Sequence, residues 1–83
     1  MSEKTFSVNI YTPEKQTASY SASLLVCPAS DGEIGVMADH MPMICALKDG
    51  DCRITTEKGV EKAHITGGVL FVKNNAADII CTD

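Results

Sequence analysis

The sequence predicts an all-β domain: a two-layer β-sandwich or flattened barrel of about eight to ten short strands. Three observations predict it. Apolar residues recur with a period of two in several segments, as in "TFSVNIY", where Phe6, Val8 and Ile10 fall on one side and Ser7 and Asn9 on the other. Turn-forming residues interrupt these segments at short intervals. No segment sustains a 3.6-residue period, so no helix is expected. At 83 residues, the chain is read as one domain over 1–83.

The strands follow in order. "TFSVNIY" is a half-buried strand, and Pro13 in "TPEK" ends it. "QTASYSASLLVCP" resumes as extended chain; "LLVC" is apolar on both faces, as in a central strand between layers. Pro28, with no N–H to give, is expected to stop that ladder. "ASDGEIG" reads as a turn and a short strand, and "MPMICAL" as another strand. "KDGD" turns at Gly50. "DCRITTE" alternates again, setting Cys52, Ile54 and Thr56 against Arg53 and Thr55. "EKGVEK" is a hairpin around Gly59. "VEKAHITGGVLFV" is a strand, a Gly67-Gly68 bend where backbones approach closely, and a second strand. "KNN" turns the chain into a last strand, "ADIICT". This reading counts eight or nine strands, with no repeat, linker or low-complexity run.

Composition narrows the function classes. Trp is absent, with two Phe and two Tyr, so the core must be built from Val, Ile, Leu, Ala and Cys. The net charge is −4: residues 1–42 carry two basic and five acidic groups, and residues 43–83 five and six. No basic strip exists for nucleic acid or for an anionic membrane surface. No apolar run approaches the ~20 residues of a bilayer crossing. The four cysteines, at spacings of 18, 7 and 29, form no CxxC and sit beside apolar residues. They read as reduced thiols, several of them small buried hydrophobes, in a reducing compartment, with no disulfide-linked partner.

Candidate chemistry is sparse. His40 and His64 are too few for a zinc site, and His64 shares its strand face with Lys62 and Thr66, which predicts exposure. His40 and Cys45 are near in sequence, but a nucleophile also needs spatial geometry. "DGEIG" lacks the pattern of a calcium loop, and Glu33 reads as a solvated turn charge. Asp31, Glu33 and Asp39 are expected near one end of the domain. Met37, Met41, Met43 and Ile44 cluster around Pro42; methionine suits adaptable docking surfaces, although core is an equal reading. A small β domain with such a segment reads as an interaction module. No cofactor or metal is expected.

"YTPEK", "VCPASDGEIGVMADHMPMICALKDG", "RITTEKG" and "ITGGVLFVKNN" occur in an order that resembles the N-terminal β-sandwich domain of the epsilon subunit of the F-type ATP synthase. The resemblance runs from about Phe6 to Asp83; its most specific parts are "GEIGV" with a following H-x-P and the "GG-x-L-x-V" strand. It implies a ten-stranded sandwich that is not catalytic by itself. It also implies a place on the rotor, clamped to the gamma subunit and resting on the polar loops of the membrane c-ring, so that proton flow is coupled to ATP synthesis. Membrane contact would come only through the complex, at the cytoplasmic face of the bacterial inner membrane or the matching side of an organelle membrane. By position, Asp31, Gly32 and Glu33 would meet the c-ring loops. Thr12, His40 and the segment Met41, Pro42, Met43 and Cys45 would lie towards gamma.

The sequence also departs from that family. Ala38-Asp39 stands where Pro-Gly commonly precedes the histidine, which bears on the local turn and its contact. "VKNN" replaces V-x-P-G, a change of small expected consequence. The C-terminal helical hairpin of the family does not follow the last strand, so inhibition or ATP binding through it is not expected here. "MSEK" resembles a native start, which favours a naturally short subunit over a trimmed one. Two rival readings are a stand-alone β-sandwich adaptor and a metal or thiol enzyme using His40, Glu33 and Cys45.

Overall fold

A computed structural model describes residues 4–13, 17–39 and 41–82; His40 lies outside them. They form nine strands and no helix: β1 (Phe6–Tyr11), β2 (Thr17–Ala22), β3 (Leu24–Ala29), β4 (Gly32–Met37), β5 (Met43–Leu47), β6 (Gly50–Thr56), β7 (Gly59–Ile65), β8 (Gly68–Lys73) and β9 (Ala76–Cys81). Nine is within the eight or nine read from the sequence and one fewer than the ten implied by the resemblance. The segment read as one extended stretch, "QTASYSASLLVCP", is two strands. A bend at Ser23 parts them, where the Ser23 N–H donates to Thr55 O at 2.8 Å.

The strands pair in the order β2-β1-β9-β8-β5-β3-β6-β7, with β4 on the free edge of β3. Eight strands in one path would make a very wide sheet. This one folds over itself where β3 meets β5 through a single register pair, Ala29 with Leu47. On one side of that hinge lie β2, β1, β9, β8 and β5; on the other lie β4, β3, β6 and β7. β1 and β9 run parallel, and the other pairs among the described residues are antiparallel.

Pro28 sits at the hinge and explains it. The strand does not stop there: β3 continues to Ala29, and Pro28 stays in register with Glu33 of β4. The Pro28 carbonyl accepts the Lys48 N–H at 2.9 Å, so that backbone position faces the β5 and β6 side. The missing N–H points the same way. The β3–β6 ladder ends at Val26–Arg53, and β5 takes over at Ala29. Proline therefore ends one ladder of β3 and leaves the other intact, which the sequence reading did not separate.

The core lies between the two layers. Phe6, Val8, Ile10, Ala22, Leu47, Leu70, Val72, Ala77, Ile79 and Cys81 come from one side, and Leu25, Cys27, Ala29, Val36, Cys52, Ile54 and Ile65 from the other. Each set follows from the period of two: alternate residues of a pleated strand share a face. Gly68 opens β8 between Leu47 and Cys81, its partners on β5 and β9. A Cβ there would run into the Ile80 carbonyl oxygen and lie 3.0 Å from Cys81 Cα, so the close backbone approach expected for this glycine is real.

Candidate functional site

The "DGEIG" segment builds the β3–β4 hairpin. Asp31 lies in the turn, Gly32 opens β4 at φ 123°, and Glu33 follows on the outer face. Glu33 is solvent-exposed, as the sequence reading expected, but it stands in β4 rather than the turn and is paired. Its two carboxylate oxygens accept from both terminal nitrogens of Arg53, at 3.1 and 3.2 Å. Register explains this: Glu33 faces Pro28, and Arg53 faces Val26, two residues along β3 on the same face. The hairpin thus presents Asp31 openly and Glu33 as half of an exposed bidentate pair.

Asp39 does not join this acidic end. The six-residue strand β4 separates it from Asp31, an extended span of roughly 20 Å. Asp39 adopts φ 63°, the left-handed conformation that a glycine would take at little cost. Its N–H donates to Asn75 Oδ1 at 2.9 Å, and its carboxylate accepts from Lys4 Nζ at 3.0 Å. Asn74 and Asn75 themselves have φ of 53° and 59°, the pair of positive values that a two-residue hairpin between β8 and β9 needs. Asn75 Nδ2 donates to Thr5 O at 2.9 Å, and Asn75 O accepts the Ser7 N–H at 3.2 Å. The two departures from the family pattern, at residues 38–39 and 74–75, therefore meet in one hydrogen bond, and "KNN" is of larger structural consequence than the sequence reading gave it.

This network holds the segment that carries the methionines. Met41 is 78% exposed and Pro42 is exposed beside it. Within β5 the alternation splits the segment: Met43 and Cys45 are half-buried, turned with Leu47 toward the core, while Ile44 is 71% exposed. Cys45 Sγ donates to Ala46 O at 3.5 Å. The Met41–Cys45 strip is therefore not one face. Its outward members are Met41, Pro42 and Ile44. Met37 is exposed on β4, and Thr12 is half-buried just beyond β1.

The sequence reading missed the larger part of the apolar face. Ile44 pairs with Phe71, Phe71 with Asp78, Val69 with Ile80, and Ile80 with Tyr11. These pairs lay Ile44, Phe71, Ile80 and Tyr11 across the outer side of β5, β8, β9 and β1, all of them exposed. Pro42, Met43, Ile44 and Phe71 line an open groove of about 710 Å³ that Lys73 and Asp78 border. Along its far rim, Ser19 Oγ donates to Asn9 Oδ1 at 2.9 Å and Asn9 Nδ2 to Asp78 Oδ1 at 3.0 Å, a polar ladder across three strands. The signal was available: "VLFV" and "DIIC" are apolar on both faces, which a sheet covered on one side alone does not require.

Glu33 and Cys45 line one groove of about 460 Å³, yet the Glu33 carboxylate is engaged by Arg53. His40, the third residue of the enzyme reading, lies outside the described residues. Among the described residues no group of three or more His, Cys, Asp or Glu could hold a metal ion. His64 is exposed, as its alternation predicted, but it is not idle. Nδ1 lies 2.9 Å from Asp51 and Nε2 3.2 Å from Asp49, and the Asp51 hydrogen bond holds its pKa above the ordinary imidazole value.

These features define a β-sandwich domain with one broad exposed apolar face and an acidic hairpin at the far end of β4. The chain belongs to the family of the ATP synthase delta/epsilon chain β-sandwich domain, whose model matches residues 5–83. It is similar to the ATP synthase epsilon chain of Pelotomaculum thermopropionicum, 38% identical over 80 residues that make up 96% of this chain and 60% of the relative. It is also similar to the ATP synthase epsilon chain of Latilactobacillus sakei, 42% identical over 81 residues, 94% of this chain and 56% of the relative. The chain thus spans less than two thirds of the length of these relatives. Two solved structures share the fold. One is the central stalk and c-ring of the Tetrahymena thermophila mitochondrial ATP synthase, with TM-score 0.75 and 21% identity over 100% of this chain and 67% of that one. The other is the Euglena gracilis mitochondrial ATP synthase, with TM-score 0.81 and 20% identity over 92% of this chain and 49% of that one.

Proposed function

We propose that this chain is a non-catalytic rotor subunit of a proton-translocating F-type ATP synthase, joining the gamma subunit to the polar loops of the c-ring. One observation carries the reading: a member of this family exposes Ile44, Phe71, Ile80 and Tyr11 together on one outer sheet face, beside Met41 and Pro42. Water-exposed apolar side chains gathered on one side of a small domain mark a place that a protein partner covers. Gamma would take this face. Thr12, His40, Met41 and Pro42 would border it, and Met43 and Cys45 would back it from the inner side of β5. Asp31, Gly32 and Glu33 would meet the c-ring through charge and backbone contacts. The double-layered sheet supplies the stiffness that torque transfer needs, and the complex would hold the chain at the cytoplasmic face of the bacterial inner membrane or its organellar counterpart.

The test is affinity capture of the tagged chain from a detergent-solubilised membrane extract. Recovery of gamma with the catalytic alpha and beta chains is the expected result. Ile44→Glu and Phe71→Glu should each cut gamma recovery, and Asp31→Lys should weaken the c-ring contact alone. Capture that brings down none of these subunits would leave the domain as a stand-alone adaptor.

A further inference from the structure

Three of the four cysteines are buried in the core, and two of them face each other across the hinge side of β3. The β3–β6 register runs Leu24–Thr55, Leu25–Ile54 and Val26–Arg53. One step further sets Cys27 opposite Cys52. The Pro28 carbonyl faces the β5 and β6 side, so Val26, two residues earlier, faces it as well, and Cys27 between them does not. Cys27 and Cys52 thus occupy a non-hydrogen-bonded site of an antiparallel pair, where Cα atoms approach to about 4.5 Å. Disulfides accept Cα separations of about 4.4–6.8 Å. Both side chains have no exposed surface, and each thiol shifts the other's acidity.

We propose that Cys27 and Cys52 form a redox-modifiable dithiol, a site at which a small two-electron oxidant closes a cross-strand disulfide between β3 and β6. Its bond would tie the strands just past the point where Pro28 ends their ladder. Chemistry within the pair is asymmetric. The neighbouring Cys52 thiol, and then burial, push the Cys27 thiol far above its ordinary value, while Cys27 in turn draws Cys52 below its own. Cys52 is therefore the sulfur that attacks first. With diamide as the oxidant, Cys52 adds to the N=N bond. Cys27 then displaces the nitrogen from that sulfur. Two S–H bonds break, one S–S bond forms, and diamide leaves as its hydrazine carrying both hydrogens. The remaining thiols sit on other strands, Cys45 half-buried on β5 and Cys81 buried at the end of β9, each near enough to interact with one member of the pair through charge: Cys45 with Cys27, and Cys81 with Cys52.

The experiment treats the folded chain with diamide, blocks residual thiols with an alkylating reagent, and maps the product by mass spectrometry after digestion. The expected product has lost two hydrogens per chain, yields a peptide linking Cys27 to Cys52, and reverts with dithiothreitol. Because the pair is buried, a sub-denaturing concentration of urea should speed closure by promoting local opening. The double variant Cys45→Ala, Cys81→Ala should close the same link, and Cys27→Ala or Cys52→Ala should abolish it. A disulfide joining any other pair, or Cys27 and Cys52 recovered fully alkylated after oxidation with and without urea, overturns the proposal. Neither result bears on gamma or c-ring binding, so failure here leaves the proposed function standing.

Discussion

Replacing Asn75 tests the idea that one asparagine organises the end of the domain that leads into the apolar face. Its side chain makes two 2.9 Å bonds, one accepted from the Asp39 N–H and one donated to Thr5 O, and its backbone sits at φ 59°. Asn75→Ala removes both side-chain bonds. Each is worth about 0.5–1.5 kcal/mol, and here the low end applies because all partners are exposed and water can replace them, giving about 1 kcal/mol for the two. Alanine must also hold the left-handed conformation, which costs a further ~1 kcal/mol. Asn75→Gly loses the same bonds without the conformational cost. Alanine is therefore expected to destabilise by about 2 kcal/mol and glycine by about 1 kcal/mol or less. For a domain of this size, about 1 kcal/mol moves Tm by roughly 4–8 °C. Thermal melts followed by circular dichroism should rank wild type, glycine and alanine in that order, with the alanine variant lowest. A glycine variant as unstable as alanine would refute the backbone part of the reasoning. An alanine variant melting with wild type would refute both parts.

Gly68→Ala is expected to cost at least ~3 kcal/mol, the upper range for overpacking, because the colliding atoms at Ile80 and Cys81 are backbone; urea denaturation gives the number, and a loss under ~1 kcal/mol would contradict the packing. Arg53→Ala should lower stability by at most ~1 kcal/mol, since the Glu33 pair is exposed; a larger loss in the same assay would mean that Arg53 packs as well as pairs. His64 gives a pH dependence of known sign. Its hydrogen bond to Asp51 raises the folded pKa above 6.5, so the stabilisation is full below the unfolded value and fades as pH rises through the folded one. His64→Gln should flatten that slope, and NMR titration of the ring should show the raised midpoint; a midpoint at or below 6.5 would remove the Asp51 contact from solution. Ile44→Glu should leave Tm within a degree or two of wild type while lowering gamma capture, because Ile44 is 71% exposed and contributes little to the core.

Local pattern was legible where one residue's environment depends on its neighbours in the chain. Phe6, Val8 and Ile10 alternate, and all three are buried; Cys52 and Ile54 do the same in β6. Gly68 announced a close approach, and the structure supplies the Ile80 carbonyl that it avoids. Illegible features all involve partners distant in sequence. Glu33 meets Arg53 twenty residues away, and Asp39 meets Asn75 thirty-six residues away. Pro28 marked a ladder's end, but not which of its two ladders ended. The methionine segment hid its split in the same manner: nothing in "MPMICAL" says that Met43, Cys45 and Leu47 turn inward while Met41 stays exposed.

The order of residues alone determined that this chain would be strands and turns, since period-two apolarity and turn chemistry act over a few residues. Which strand lies beside which was decided only in three dimensions. The sheet folds over at Ala29–Leu47, and that fold leaves Ile44, Phe71, Ile80 and Tyr11 on one exposed face, while the pairing of β3 with β6 sets Cys27 opposite Cys52. Strand pairing joins segments far apart in the chain, and the loop entropy spent in joining them is repaid only by the complete two-layer core.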